Sequence, residues 1–157
     1  MSNSNMQARI AQHDFFRDMP EDFLSVLAKH TSTESLSEEE VLFVHGKAAN
    51  HFYLVDSGSV MLEVPAIEGP SLKLQEISEG GVLGWSWLIP PYQWHFRARA
   101  TSKTELIVFD GKALRKHCEN DPAFGYELLK RFSALMSERL SFARAKMMDA
   151  WFAEGFA

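Results

Sequence analysis

Cysteine is nearly absent from this chain: Cys118 is the only one in 157 residues. No internal disulfide can form, and the composition fits a reducing cytoplasm. A lone thiol on a helical segment reads as a small structural residue. Long apolar runs are missing as well. No stretch reaches the roughly 18 residues needed to cross a bilayer, and Met1 to Asn5 has neither the basic head nor the apolar core of a secretory leader. Basic residues are not in excess, since 16 Lys and Arg face 21 Asp and Glu for a net charge of −5. The densest basic group, Arg139, Arg144 and Lys146, is interspersed with Glu138 and Asp149, the pattern of a solvated helix face. A protein that grips nucleic acid needs a basic patch to displace counterions. Direct DNA or RNA binding is therefore not expected.

Catalytic signatures are also missing. The six histidines, at 13, 30, 45, 51, 95 and 117, form no pair at metal-site spacing, and no zinc-protease motif occurs. The His-x-His and trailing glutamate of metal-binding cupins are absent. Nothing around His45, His95 or Cys118 marks a haem ligand. No nucleophile elbow, P-loop or Rossmann fingerprint exists, and the Gly80-Gly81-x-x-Gly84 spacing alone does not make one. Neither an enzyme nor a metal site is expected.

What is present is one domain's worth of chain, 46% hydrophobic and 24% charged, enough to bury about two thirds of its unfolded surface. Residues 1–12 carry little pattern and are expected to fray. Pro20, Glu21 and Asp22 open a helix, with proline in the first turn and acids at the positive end, and Phe23, Leu24, Leu27 and Ala28 form its apolar face. From Val41 the period shortens. Strands are expected over 41–46, 51–58, 59–64, 72–77, 96–101 and 104–109, separated by glycine-bearing turns and by a loop over 65–71. Many short strands at this spacing indicate a barrel, sandwich or roll.

The last third is helical. Asp121 caps a helix whose first turn carries Pro122. Phe124, Leu128, Leu129, Phe132, Leu135, Met136, Leu140, Ala143, Met147 and Trp151 follow at steps of three and four. A stripe that long exceeds what a small roll can cover, so a homodimer seam over residues 124–151 is expected. The alternative is a helix folded wholly back on its own roll. The expected organisation is a flexible 1–12, a roll with its N-terminal helix over 13–120, and a long helix and tail over 121–157.

This order of elements resembles the cyclic nucleotide-binding domain of the catabolite activator and kinase regulatory-subunit superfamily. The landmarks are Val44 to Gly46, Phe52 to Val60, Glu79 to Gly84, Arg99-Ala100 followed by Thr104 to Phe109, and Ser133 to Leu140. They cover roughly residues 15–150. The resemblance implies a mainly β fold, a double-stranded β-helix or jelly roll with flanking helices and a long C-terminal dimerisation helix. In the bacterial activators a helix-turn-helix domain follows that helix, whereas this sequence stops at Ala157. A sensor without its own DNA-reading output is expected.

The same resemblance points to Gly80 to Ala100 as a phosphate-binding cassette: a glycine turn, a short helical segment, then a strand. The family's chemistry needs backbone N–H groups after a glycine, a glutamate for the ribose hydroxyl, and an arginine for the phosphate. Gly84 keeps the glycine role and Ser86 supplies a hydroxyl. The glutamate position holds Trp85, which accepts nothing. The arginine position falls at Trp94 or His95, depending on an insertion around Pro90-Pro91. The base-contacting hydroxyl pair falls at Ala143-Arg144. Two lost anchors would cost about 3–6 kcal/mol, on the order of a hundred- to ten-thousand-fold in affinity.

His95 or Arg97 compensates if the strand turns it inward. Alternation sets His95, Arg97 and Arg99 against Trp94, Phe96 and Ala98, and leaves open which set faces the pocket. The aromatics Trp85, Trp87, Tyr92, Trp94 and Phe96 are either core, an aromatic-walled cleft for a flat anionic ligand, or a protein-binding surface. The expected ligand site is thus Gly84, Trp85, Ser86, Trp94, His95, Arg97 and Arg144, with no obligate cofactor. Two functions stand: a cytoplasmic, dimeric ligand-sensing domain with altered or lost nucleotide specificity, or a protein-interaction module on the same fold.

Overall fold

The computed structural model describes residues 3–66 and 68–151, with side chains described through 149. Two four-stranded antiparallel sheets face each other. One has the order β1-β8-β3-β6 and the other β2-β7-β4-β5, from β1 (Thr31–Leu36), β2 (Val41–Phe43), β3 (His51–Ser57), β4 (Ser59–Val64), β5 (Leu72–Ser78), β6 (Val82–Leu83), β7 (Arg97–Ala100) and β8 (Thr104–Asp110). Helices α1 (Asn3–Ala11) and α2 (Glu21–Lys29) precede the sheets, and α3 (Gly111–Asn120) and α4 (Pro122–Trp151) follow them. This is the expected jelly roll with flanking helices and a long final helix.

Alternation divides the apolar residues between two cores. Tyr53, Val55, Leu106 and Val108 point between the sheets, where they meet Val60, Leu62, Ala98 and Ala100. Their neighbours Phe52, Leu54, Ile107 and Phe109 point the other way, under α1, α2, α3 and α4. That is why β3 and β8 read as near-continuous apolar runs: both faces are covered. In β7, Ala98 and Ala100 are fully buried between the sheets, while Arg97 and Arg99 lie on the outer face. β1 carries no apolar alternation. Only Leu36 of its residues is buried, and the strand is held at the sheet edge by pairing with β8 from Thr31↔Phe109 to Leu36↔Thr104.

The N-terminal segment differs from the expectation of fraying. Residues 3–11 form α1, and Met6 and Ile10, one turn apart, are buried in the helix-side core. Residues 1 and 2 of that segment lie outside the described residues, as does the tail 152–157. α4 begins as the sequence indicates, with the Asp121 carboxylate accepting the Phe124 N–H at 3.3 Å.

Along α4 the single expected stripe separates into two. Leu128 and Phe132 are fully buried on the protein's own roll, Leu135 packs beside them, and Arg139 continues that line. One residue on from Leu128, Leu135 and Arg139 lie Leu129, Met136 and Leu140, which with Met147 form a second line. Leu140 is 69% exposed and Met147 64%. One face of α4 therefore lies on the roll as far as Arg139, with Phe142 and Lys146 beyond it bordering β4 and β5, and the other face stays exposed. The side chain of Trp151, the last of the expected stripe, is outside the described residues.

Candidate functional site

The site is built on the chain between β6 and β7. Val82 and Leu83 pair with Leu54 and Tyr53 of β3, which fixes where Gly84 leaves the sheet. Residues 85–91 form successive turns, with Leu88 N–H donating to the Trp85 carbonyl at 3.2 Å and Tyr92 N–H to that of Ile89 at 3.0 Å. The short helical segment expected there is thus two turns. Arg115 of α3 secures this stretch from outside, with its guanidinium 4.0 Å from the Tyr92 ring centroid and a hydrogen bond to the Trp87 carbonyl.

Trp94 is held from both sides of its main chain. Its N–H donates to the Lys47 carbonyl at 2.9 Å, and its own carbonyl accepts from Gly46 at 2.8 Å. The indole turns between the sheets and stacks flat on Phe43, centroids 3.8 Å apart and planes within 7°. Gly84, at φ +91°, makes room for it: a Cβ there would lie 2.7 Å from Trp94 Cζ3. The glycine therefore serves both a backbone conformation that L residues avoid and the close approach of a ring. Trp87 turns the other way, fully buried against Phe52 and Phe132.

In front of the Trp94 indole lies a small cleft lined by Phe43, Leu62, Gly84, Trp85, Ser86, His95, Phe96 and Arg139. Its free volume is about 10 Å³, the room of a single water. Ser86 Oγ lies 3.1 Å from His95 Nδ1, and Trp85 stacks on the same imidazole at 4.5 Å. Arg139 reaches in from α4. It is only 6% exposed, donates to the Val82 carbonyl, and pairs with Glu138 at 2.5 Å. Burial pulls its guanidinium pKa below the ordinary arginine value, against the charge of Glu138. The sequence pattern assigns Arg139 to a solvated face, and the structure overturns that. Its signal is the three-and-four spacing from Leu128, Phe132 and Leu135.

Five of the seven expected ligand residues, Gly84, Trp85, Ser86, Trp94 and His95, meet at this cleft. Arg97 is placed on the outer sheet face instead, where Nε donates to Glu63 Oε1 at 2.9 Å and Nη2 to Ser71 Oγ at 2.6 Å. Arg99 shares that carboxylate at 3.2 Å and forks onto Glu39. Burial alone would raise the Glu63 pKa, but the hydrogen bonds and charges of Arg99 and Arg97 outweigh it and hold it below the usual carboxylate value. Arg144 is exposed on the free half of α4, away from the cleft lining. Of the two alternating sets, Trp94 and Ala98 face inward. His95 and Phe96 both line the cleft because regular strand begins only at Arg97.

Two further groups are shifted by burial. Burial, then the charges of Glu119 and Asp121, push the Cys118 thiol up to about 11. Burial and Glu34 push the Tyr53 phenol up to about 12. Among the described residues no group of three or more His, Cys, Asp or Glu is placed to hold a metal. No helix among them is long and apolar enough to cross a membrane.

With this geometry in place, comparison with known proteins is informative. A family model described as "Cyclic nucleotide-binding domain" matches residues 33–121. Among solved structures, a protein of Geobacter metallireducens GS-15 assigned as cyclic nucleotide-binding superposes with a TM-score of 0.76 at 25% identity, over 89% of this chain and 98% of its own. The sensor domain of the transcriptional regulator DNR from Pseudomonas aeruginosa gives 0.71 at 20%, over 88% and 93%. The regulatory subunit of a cAMP-independent protein kinase A from Trypanosoma brucei gives 0.72 at 15%, over 92% and 51%. A search of curated proteins returns no significant match.

Proposed function

We propose that this chain, which belongs to the cyclic nucleotide-binding domain family, is a regulatory domain whose nucleotide seat is taken by its own Trp94 and whose output runs through α4. The family is a regulatory, sensor-domain family and typically non-catalytic. One observation carries the reading. The indole lies flat on Phe43 at 3.8 Å, leaving about 10 Å³ free where small-ligand pockets usually offer roughly 300 Å³ or more. Among the described residues the lining also contains no carboxylate to accept a ribose hydroxyl. Arg97, a candidate phosphate partner, is committed to Glu63. Opening the seat requires turning the Trp94 indole out of its stack on Phe43, from a backbone held on both sides by hydrogen bonds.

The output surface is argued from the second line of α4. Leu129, Met136, Leu140, Ala143 and Met147 recur at steps of seven, four, three and four, and Leu129, Leu140 and Met147 among them are exposed. That is the pattern of a two-helix seam. A second copy satisfies it without any new element, so the active form is a homodimer. With a single cysteine and a net charge of −5, it is a cytoplasmic protein that does not contact DNA itself. The alternative, a protein-interaction module, is favoured by Met148 and by Phe142, the latter exposed where α4 passes β4 and β5, which offer apolar area to another chain.

Calorimetric titration with cyclic AMP and cyclic GMP tests the first part. No saturable heat is expected below about 0.1 mM, because a gap of 3–6 kcal/mol moves a micromolar ligand to roughly 0.1–10 mM. Micromolar binding to the folded chain overturns it. Light scattering after gel filtration tests the second part: a dimer at micromolar concentration, converted to monomer by Leu140→Glu. A monomeric wild type removes the seam.

A further inference from the structure

We infer that the free edge of β1 is a strand-addition site for an extended segment of a partner protein. That segment carries a basic residue for Glu34 and apolar residues for Met6 and Ala28. This surface goes beyond the readings of the seat and the seam and requires neither.

The sheet edges are β1 and β6 in one sheet and β2 and β5 in the other. An edge offers main-chain donors and acceptors to any other chain, and folded proteins guard it with shortness, bulges, lysine or a covering element. Three of these edges are guarded. β6 is two residues long. β2 has three residues, and its register shifts between Val41 and Phe43. β5 carries Lys73, breaks register where Leu74 goes unmatched, and has Phe142 and Lys146 of α4 beside it. β1 has none of these devices. Its six residues pair with β8 without a register shift and include no proline, lysine or arginine. Every second residue turns its N–H and C=O away from β8. Among the described residues no strand pairs with that side.

The surroundings of the edge name its occupant. Between β1, the start of α1 and the end of α2 lies an open groove of about 850 Å³. Thr31, Ser32 and Thr33 all line it. Side chains alternate along a strand, so consecutive residues border one groove together only along the edge. Met6 and Ala28, each 6% exposed, supply its apolar surface. Thr31 and Thr33 share the helix side with Phe109 and Ile107, their partners in β8. Glu34 is on the other side with Leu36, which is buried between the sheets. Among the described residues neither Glu34 nor Lys29, which lines the groove, is in an ion pair. An antiparallel strand added here therefore reads basic, apolar, any residue, apolar, acidic, from Glu34 towards Lys29. A second copy of the chain fits worse. Pairing β1 with itself about Thr33 sets Glu34 opposite Ser32 and lays Thr33 and Ser35, both polar, towards Met6 and Ala28. Pairing about Glu34 opposes two carboxylates.

The test is fluorescence anisotropy of the full chain with a fluorescein-labelled peptide, Ser-Lys-Val-Thr-Val-Glu-amide, at low ionic strength. Saturable binding with a midpoint of roughly 100 µM is expected. Exchanging the peptide lysine for glutamate should weaken it about fivefold, and Glu34→Lys in the protein should reverse that preference. Two further peptides, each N-methylated at one set of alternate amides, read the ladder. One should bind like the parent and the other should not bind, because only one set faces β1. No saturable binding below about 1 mM, equal behaviour of the two methylated peptides, or indifference to the charge exchange overturns the proposal. If circular dichroism shows that Glu34→Lys does not fold, the methylated pair decides, since it leaves the protein unchanged. Self-association that Thr33→Pro abolishes, with the peptide unbound, gives the edge to a second copy and overturns the proposal as well.

Discussion

Replacing Gly84 with alanine tests the close approach on which the closed seat depends. Two penalties meet at that position. The backbone sits at φ +91°, a region that costs an L residue about 1–2 kcal/mol. The new Cβ would also lie 2.7 Å from Trp94 Cζ3 and 3.0 Å from Cη2. In this orientation the indole has no room to retreat, because Phe43 stacks behind it at 3.8 Å. Forcing a methyl into such a contact costs about 1–3 kcal/mol. Gly84→Ala should therefore destabilise the fold by roughly 2–5 kcal/mol, the sum of the two. A double-mutant cycle separates them. In a Trp94→Leu background the ring contact is gone and only the backbone penalty remains, so the same substitution should cost about 1–2 kcal/mol. Urea unfolding of the four proteins, followed by far-ultraviolet circular dichroism, reads the coupling. A coupling of about 1–3 kcal/mol is expected for residues in direct contact. Simple additivity would mean that the indole does not fill the space in front of Gly84, and the closed-seat reading would lose its foundation.

Two further outcomes follow from shifted groups. Glu63 is 1% exposed between Arg97 and Arg99, and its pKa is lowered in the folded state. Its stabilising contribution is thus complete above the unfolded value of about 4.3 and is lost as pH falls below it. Glu63→Gln should remove that part of the acid dependence and cost about 3 kcal/mol at neutral pH, the low end for breaking a buried pair because Arg99 keeps Glu39. Chemical denaturation between pH 3 and pH 7 would show it, and parallel wild-type and variant curves would contradict it. The Cys118 thiol, raised to about 11, should react with iodoacetamide at pH 8 on the order of a hundredfold more slowly in the folded chain than in urea. Equal rates would place that residue in a different environment.

The parts of the fold that could be read from the residues are those where burial imposes a period. β3, β4 and β8 were legible because Phe52 to Val55, Val60 to Leu62 and Leu106 to Phe109 line one or both cores, and Asp121-Pro122 announces the start of α4. β1 was not, because an edge strand whose only buried residue is Leu36 is specified by its partner β8 and not by its own composition. α1 escaped for a related reason: Met6 and Ile10 are its only buried residues, too few to establish a helical period.

The cleft shows a subtler limit. Gly84, Trp85, Ser86, Trp94 and His95 come from one continuous segment, so their proximity was readable, but which way each turned was not. The alternation rule that should have decided it holds only in regular strand, and the chain from 91 to 96 is irregular before β7. Arg97 was lost to the outer face because Glu63, a residue of β4 paired with it across the sheet, draws the guanidinium away. Arg139 was missed because a charged residue among Glu138, Arg144 and Lys146 looks solvated unless its spacing from Phe132 and Leu135 is given more weight than its charge. Once that spacing is followed, a general point emerges about α4. Its two lines are offset by one residue, so the chain places Arg139 on the roll and Leu140 on the exposed side by the same turn of helix. The residue that ties α4 to β6 and an exposed apolar residue of the other face are thus chain neighbours.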